Sequence, residues 1–328
     1  MAIPSPKHPS YRIGILLIDG FALMSYASAV EPLRAANLLA GQTLYDVHHL
    51  SENDRAAVSS SGAVVNATLP LDARHRLDCV LVVAGGDPGS YKNARVLRWL
   101  QRMAARGTLL GGISGGPLIL ARAGVMAERR MTVHWEHAEA LLEISPSLII
   151  ERTLYVWDRD RLTCAGGIAP LDVMHALITK HHGSEFARRV SDWFMHTDVR
   201  PSGGPQRAGL AERYGVTNLT LLNAIEAMEN HIADPLDLTQ LATLSGLSAR
   251  QLNRLFAEQL QASTMGFYRN LRLAKAQALV TQTPLSITEI ALATGFASSA
   301  HLSACFRHRY DAPPSSLRKK TVSIGSTA

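Results

Sequence analysis

The segment from residue 286 to residue 310 constrains this chain more than any other stretch, because signals for two short helices and an intervening turn follow one another in it. Ser286 and Glu289 have the spacing of a capping box, in which each side chain pairs with the other residue's main-chain N–H at a helix start. Gly295 can adopt the left-handed conformation that ends a helix, and Ser298 can cap the next one. The pattern predicts a helix-turn-helix.

A second copy of this pattern lies upstream, in the sequence LTQLATLSGLSARQLNRLFAEQ. Its turn glycine is Gly246 and its helix cap is Ser248. Gly246 and Gly295 are 49 positions apart, and Phe256 and Phe306 are 50 positions apart. Two aligned helix-turn-helix units predict DNA binding, because the second helix of such a unit presents its first residues to base edges in the major groove.

In both copies the polar residues of the second helix are expected to face DNA, whereas the leucines and phenylalanines pack inward. The alternative is that the arginines are only solvated helix charges, and the alignment of two copies favours contact with bases or phosphates. Residues 267–280, with Leu271, Leu273, Ala274 and Ala278 on the apolar side, are predicted to form one long helix that holds the two units about 34 Å apart on one face of the duplex. The residues predicted to contact DNA are Ser248, Arg250, Gln251, Arg254, Ser298, Ser299, His301, Ser303, Arg307 and Arg309.

Residues 219–320 resemble the AraC family of transcription regulators, which implies a sequence-specific DNA-binding regulator. The sequence departs from the family pattern at Ala304, where the family usually has arginine, and at Tyr310-Asp311, where it usually has Phe-Gly. The positions that follow the pattern are Tyr268, Arg272, Leu273, Thr281, Pro284, Ile287, Ile290, Ala291, Gly295, Phe296, Ser298, His301, Ser303, Phe306, Arg307, Pro314, Leu317 and Arg318.

Length and charge agree with this interpretation. A chain of 328 residues is longer than a usual single domain, so two domains are expected. The formal net charge is +6, and residues 207–328 contribute +4 of it through 12 Lys and Arg against 8 Asp and Glu. This basic excess favours a polyanionic partner.

Cysteine usage and hydropathy argue against several other classes of protein. Cys79, Cys164 and Cys305 are scattered, which indicates neither a disulfide framework nor a zinc site, and we expect no metal or cofactor. A secretory signal and an apolar run of membrane-spanning length are both lacking, so a cytoplasmic protein without membrane association is expected.

The first part of the chain alternates between strand-like and helix-like patterns. Apolar runs at residues 13–18, 80–83 and 109–113 read as buried parallel strands, and residues 29–39 and 117–123 read as helices. This alternation predicts a doubly wound, flavodoxin-like α/β domain. We predict a sensor and dimerisation domain at 1–199, a linker at 200–216 where Arg-Pro-Ser-Gly-Gly-Pro-Gln begins, a DNA-binding domain at 217–321 and a tail at 322–328.

Glycine-rich turns follow two of the predicted strands, at residues 84–88 and 112–117. Ligands of doubly wound sheets bind at the carboxyl ends of strands, beside helix N-termini. Residues 12–193 resemble the PfpI/ThiJ superfamily, and GGISGGPLILARAGVMAERRMTVHW corresponds to its nucleophile elbow, helix and following histidine. The resemblance places Ser114 where the superfamily usually has a cysteine, His134 at the histidine, and the position of its acidic residue near Ser25.

Two roles are open for Ser114. We expect no catalytic residue: the hydroxyl would cap the helix that begins near Gly115, and the N–H groups of Gly115 and Gly116 would bind an anion. The alternative is a hydrolase or amidase in which His134 activates Ser114. The residues predicted to bind an effector are Gly85, Gly86, Ser114, Gly115, Gly116, His134 and Trp135.

The combination of a PfpI-like domain with a double helix-turn-helix resembles the GlxA-like subfamily of AraC regulators, which implies an activator of catabolic genes that responds to glycine betaine, carnitine or a related amine. Trp135 could hold a quaternary ammonium by a cation–π contact, with Glu136 or Asp87 as countercharge, or could be ordinary core packing. The implied partners are promoter DNA, a small-molecule effector, a second copy of the chain and RNA polymerase. A regulator whose α/β domain only dimerises or binds a protein is the other alternative.

Overall fold

The computed structural model describes residues 10–71, 74–86, 88–144, 147–283 and 285–317. Asp87, Pro284, Arg318 and the predicted tail at 322–328 lie outside these residues. The chain divides into two compact units, a first unit at Met1–Gln206 and a second unit at Arg207–Ala328.

The first unit is a doubly wound α/β domain, which confirms the predicted fold. Its helices are α1 (Leu23–Ala40), α2 (Ala94–Ala105), α3 (Gly116–Arg122), α4 (Ala138–Ile144), α5 (Ala169–His182) and α6 (Ser184–Trp193). Its strands are β1 (Tyr11–Leu17), β2 (Tyr45–Ser51), β3 (Ala56–Val58), β4 (Val64–Asn66), β5 (Cys79–Ala84), β6 (Leu109–Ser114), β7 (Arg130–Met131), β8 (Ile149–Ile150), β9 (Tyr155–Asp158) and β10 (Arg161–Cys164).

Within the described ranges, six of these strands form the main sheet in the order β2-β1-β5-β6-β10-β9. The strands run parallel except for β9, which pairs antiparallel with β10. Side chains alternate between the two faces of a strand. Ile15 and Leu17 of β1 therefore join the core under α1 and α5, whereas Leu16 joins the core under α2 and α3. Burial on both faces explains why these strands are continuous apolar runs.

Residues 196–206 pack on the first unit. The buried carboxylate of Asp172 accepts a hydrogen bond from His196 Nε2 at 2.8 Å and from the main-chain N–H of Arg200 at 2.9 Å, and it pairs with the Arg200 guanidinium at 2.7 Å. The N–H of Leu154 lies 3.0 Å from the carbonyl oxygen of Ser202. The division between the units thus falls after Gln206, and residues 200–206, which composition places in the linker, are held by tertiary hydrogen bonds that composition does not reveal.

The second unit is helical in its described part, and the long helix predicted at residues 267–280 is present as the longer α11 (Thr264–Gln282). Ala274, which was expected on the apolar side, is exposed, because the buried face of α11 shifts along its length. Tyr268 contributes to one apolar core, whereas Leu273, Ala276 and Leu279 contribute to another. The helices are α7 (Leu210–Tyr214), α8 (Leu219–Asn230), α9 (Leu238–Leu244), α10 (Ala249–Leu260), α11 (Thr264–Gln282), α12 (Ile287–Ala293) and α13 (Ser299–Tyr310).

Candidate functional site

The second unit contains the two predicted helix-turn-helix motifs, formed by α9 with α10 and by α12 with α13. At the start of α12, Ser286 N donates to Glu289 Oε2 at 2.7 Å and Glu289 N donates to Ser286 Oγ at 3.2 Å, which confirms the capping box. The turn glycines Gly246 and Gly295 both have φ of +67°. Local signals therefore position both motifs.

The first residues of α10 and α13 have capping roles that bear on DNA contact. In α10, Gln251 Oε1 accepts hydrogen bonds from Ser248 N at 2.9 Å and from the Ser248 hydroxyl at 2.8 Å. In α13, Ser298 Oγ accepts from His301 N at 3.1 Å. The Gln251 amide nitrogen and the His301 ring remain as groups with which these residues could read a base edge.

The remaining predicted contact residues lie on the outer surfaces of α10 and α13. Leu252 and Phe256 of α10 and Leu302 and Phe306 of α13 are buried, as expected. Arg254 carries an exposed ion pair with Glu258 at 3.6 Å. Contact with DNA stays a prediction for the whole set. The exposed members are Arg250, Arg254, His301, Arg307 and Arg309, and the half-buried ones are Ser299 and Ser303.

Arg272 of α11 supports the second turn, a role that the sequence did not disclose. Its Nε donates to the carbonyl oxygen of Thr294 at 2.8 Å, and its guanidinium also donates to the carbonyl oxygen of Gly295. The same guanidinium lies over the Phe296 ring at 4.3 Å. Arg272 thereby satisfies carbonyl groups left without partners where α12 ends.

In the first unit, Ser114 ends β6 and precedes α3 in a strand-turn-helix arrangement. Its φ is +59°, a conformation that costs a residue other than glycine roughly 1–2 kcal/mol. Such a turn matches the nucleophile elbow of α/β hydrolases. The helix cap expected of Ser114 is wrong: Gly115 is the N-cap residue of α3, without a side-chain cap.

The N–H of Gly115 is not free for the expected anion site, because it donates to the carbonyl oxygen of Ala84 at 3.0 Å. Gly116 instead allows close packing, since a Cβ there would lie 2.0 Å from the carbonyl oxygen of Val82. Gly85 lies against the turn after β1, where a Cβ would be 2.6 Å from the carbonyl oxygen of Gly20. Gly86 is exposed, with φ of +62°. These glycines shape the end of the sheet.

Ser25 and Gly166 belong to the same site. Ser25, in the first turn of α1, is fully buried, and its hydroxyl has no hydrogen-bond partner among the described residues. A Cβ placed on Gly166 would lie 2.6 Å from Ser114 Cβ and 3.0 Å from Ser25 Oγ. The absence of a side chain at Gly166 thus allows the chain to pass close to Ser114 and to the Ser25 hydroxyl. The superfamily pattern placed an acidic residue near Ser25, but no sequence signal indicated Gly166.

The segment after β7 completes the site. His134 N donates to the carbonyl oxygen of Ser114 at 3.4 Å, and Trp135 begins a short 3-10 turn. The Trp135 side chain is 44% exposed and its ring lies 5.4 Å from the ring of His134. Trp135 is therefore not a core residue.

The chemistry of His134 favours binding over catalysis. Nδ1 of His134 accepts a hydrogen bond from Glu136 N at 3.3 Å, which leaves the proton of the neutral ring on Nε2. Burial lowers the pKa of His134, although the nearby Glu136 carboxylate opposes the shift. A neutral ring with Nε2–H is a hydrogen-bond donor, whereas a base for Ser114 needs an unprotonated nitrogen.

Among the residues described, no group of three or more His, Cys, Asp or Glu side chains is suited to a metal ion. No helix of the described chain has the length and hydropathy to cross a membrane. Burial raises the pKa of both Cys79 and Cys164, so neither buried thiol is a reactive thiolate.

Comparisons with known proteins agree with both units. Residues 11–180 match the DJ-1/PfpI family, and residues 241–320 match a helix-turn-helix domain. The HTH-type transcriptional regulator GlxA of Rhizobium meliloti is 45% identical over 98% of this chain and 100% of its own. The HTH-type transcriptional regulator CdhR of Pseudomonas aeruginosa is 40% identical over 92% of this chain and 90% of its own.

A crystal structure of an AraC family transcriptional regulator from Pseudomonas putida is 30% identical, covers 56% of this chain and 99% of its own, and has a TM-score of 0.52. Fold, motifs and relatives together define a DNA-binding transcription regulator. The chain belongs to the HTH-type transcriptional regulators in which a DJ-1/PfpI domain precedes an AraC-type DNA-binding domain.

Proposed function

We propose that this regulator responds to a small zwitterionic amine, such as glycine betaine or carnitine, that binds at the Ser114 turn of the first unit. The observation that carries the proposal is the buried Ser25 hydroxyl without a partner beside Ser114. A buried hydroxyl left unpaired costs about 1–3 kcal/mol, and a ligand oxygen that accepts its hydrogen bond recovers much of that cost.

The proposed ligand has one end suited to each half of the site. Its carboxylate would accept hydrogen bonds from the hydroxyls of Ser25 and Ser114 and from His134 Nε2. Its quaternary ammonium has no hydrogen to donate and would rest on the indole of Trp135, a contact worth about 0.5–2 kcal/mol. Glu136, exposed and next to Trp135, would supply countercharge.

The first unit acts as a sensor without turnover in this proposal. A serine nucleophile needs a base that takes its proton, and the protonated Nε2 of His134 donates instead. We further propose that the first unit forms a homodimer. In this arrangement α10 and α13 bind promoter DNA through Arg250, Gln251, Arg254, His301, Arg307 and Arg309, and the bound regulator activates transcription by RNA polymerase.

Calorimetry on the full chain with glycine betaine, carnitine and arginine tests the ligand class. Ser25→Ala should raise the unfolding free energy of the ligand-free protein, because it removes an unpaired buried hydroxyl. The same variant should weaken betaine binding about fivefold, because it loses a hydrogen bond worth about 1 kcal/mol. A purely structural serine would not shift these two quantities in opposite directions.

Trp135→Ala should weaken binding about 2–30-fold, which corresponds to 0.5–2 kcal/mol. Trp193→Ala is the matched control, because Trp193 is 49% exposed on α6. Binding of arginine alone, with no heat from any methylated amine at millimolar concentration, would reject the ligand class. Turnover of amide or ester substrates by wild type but not by Ser114→Ala would reject the sensor assignment.

A further inference from the structure

Gln206, the last residue of the first unit, is inserted among polar groups beside the proposed effector site. Its Nε2 lies 3.0 Å from Thr132 Oγ1, 3.0 Å from the carbonyl oxygen of Val133 and 2.8 Å from that of Thr153. Its Oε1 is buried without a hydrogen-bond partner in the described chain. The side chain is thus held by its donor end only.

The position of these contacts links two functional parts of the chain. Val133 immediately precedes His134, whose N–H donates to the carbonyl oxygen of Ser114. Arg207, the next residue after Gln206, is the first of the second unit. A continuous series of hydrogen bonds and peptide bonds therefore runs from the Ser114 turn through Val133 and Gln206 to the connection with the DNA-binding unit.

The preceding residues are fixed separately. Arg200 is paired with the buried Asp172, and the N–H of Leu154 is shared between the carbonyl oxygens of Ser202 at 3.0 Å and Gly204 at 3.1 Å. These anchors limit how far residues 200–205 can shift. The amide of Gln206 bonds to residues 132, 133 and 153 at the end of this segment, so its release would loosen the attachment of the connection while residues 200–205 stay in place.

We infer that Gln206 is a latch that couples the occupancy of the Ser114 turn to the second unit. An N–H···O bond requires an N–O distance of about 2.7–3.2 Å, so a shift of residues 132–134 by about 1 Å releases the amide. Coupling between two binding sites is reciprocal, and DNA bound to the second unit must then alter residues 132–137. The inference rests on the proposed DNA-binding regulator but does not depend on the identity of the effector.

Hydrogen exchange on the full chain tests the latch without effector. The probe is a duplex selected from a random-sequence library on the full chain. In wild type the duplex should change the exchange rates of the His134 and His137 amides at least threefold, because both amides are hydrogen-bonded in the segment that the latch contacts. Gln206→Met keeps the size of the side chain but removes its donors, and the duplex should then leave these rates unchanged.

Gln101→Met is the matched control. Gln101 also donates to a main-chain carbonyl oxygen, that of Ala123 at 2.9 Å, but at the end of α3. This control should retain the wild-type response to the duplex. The same response in Gln206→Met would overturn the latch, as would a wild-type chain that binds the duplex with no change at residues 132–137.

Insertion of Gly-Gly between Gln206 and Arg207 covers the case in which Gln206→Met does not fold. It leaves every contact of the latch intact and lengthens only the connection, so it should abolish the response to the duplex. A response that survives the insertion would overturn the latch. Wild type that binds no duplex would instead refute the DNA-binding regulator itself, an outcome distinct from loss of coupling.

Discussion

The two turn glycines of the helix-turn-helix motifs provide a matched pair for a stability test. Gly246 and Gly295 have the same φ of +67°, but their surroundings differ. A Cβ on Gly246 would meet no atom within 4 Å, whereas a Cβ on Gly295 would lie 2.6 Å from both Cδ and Cγ of Pro235 and 2.7 Å from the carbonyl oxygen of Ile232. Alanine at each position therefore separates backbone strain from crowding.

The left-handed conformation costs an alanine roughly 1–2 kcal/mol, and Gly246→Ala should lose about that amount of stability. Gly295→Ala should lose the same amount plus the cost of forcing a methyl group into occupied space, about 1–3 kcal/mol. The second variant should then be destabilised by about 2–5 kcal/mol. Gly295→Ala should also bind DNA more weakly, because the displaced turn precedes α13.

Thermal unfolding of the full chain can measure this difference with an internal control. The chain has 4 tryptophans, Trp99, Trp135, Trp157 and Trp193, and all belong to the first unit. Tryptophan emission should therefore show an unchanged first unit, while helical circular dichroism shows the loss in the second. At about 4 °C or more per kcal/mol, Gly295→Ala should melt at least 4 °C below Gly246→Ala.

Equal melting temperatures for the two alanine variants would refute the crowding at Pro235. A melting temperature of Gly246→Ala equal to that of wild type would refute the strain attributed to its backbone. A shift of the tryptophan transition in either variant would show that the two units do not unfold separately under these conditions.

Two further predictions concern DNA contact and pH. Arg250→Ala should cost about 1–3 kcal/mol of binding free energy on a selected duplex and less on random DNA. Arg307→Ala should weaken binding to both duplexes equally and lower the slope of log affinity against log salt concentration by about 0.9. Titrations at several salt concentrations measure both effects, and equal losses on the two duplexes for Arg250→Ala would make Arg250 a phosphate contact. Burial lowers the pKa of His137 to about 4, so the unfolded chain binds the proton first as pH falls, and stability drops between about pH 6.5 and 4. Urea unfolding followed by tryptophan emission should show about 2 kcal/mol less stability at pH 5 from this group, a loss that His137→Gln should remove; an identical pH dependence in the variant would contradict this origin.

The features that were predictable from sequence are those that depend on neighbouring residues. The capping box of Ser286 and Glu289 and the turn at Gly295 each depend on residues a few positions apart in sequence, and each helix-turn-helix forms as predicted. The buried parallel strands were equally clear, because burial on both faces produces uninterrupted apolar runs. The elbow at Ser114 was implied by the resemblance to the PfpI/ThiJ superfamily.

Features that depend on distant residues were not predictable. Ser25, Ser114 and Gly166 meet only because the carboxyl ends of parallel strands share one edge of the sheet. Arg200 lies in a stretch typical of linkers, yet it pairs with Asp172 on α5. The N–H of Gly115 was expected to be free, but its acceptor is supplied by the adjacent strand β5.

The switch of buried face along α11 restricts which operators the regulator can use. Because the helix enters both apolar cores, it cannot bend or twist between the motifs without disturbing the packing of one of them. One base pair more between two half-sites moves them about 3.4 Å apart and rotates one around the duplex axis relative to the other. The DNA, rather than the protein, must then deform so that both motifs reach their half-sites, and the cost of this deformation depends on the sequence between the half-sites. Spacer base pairs that no side chain touches would thus contribute to operator selection.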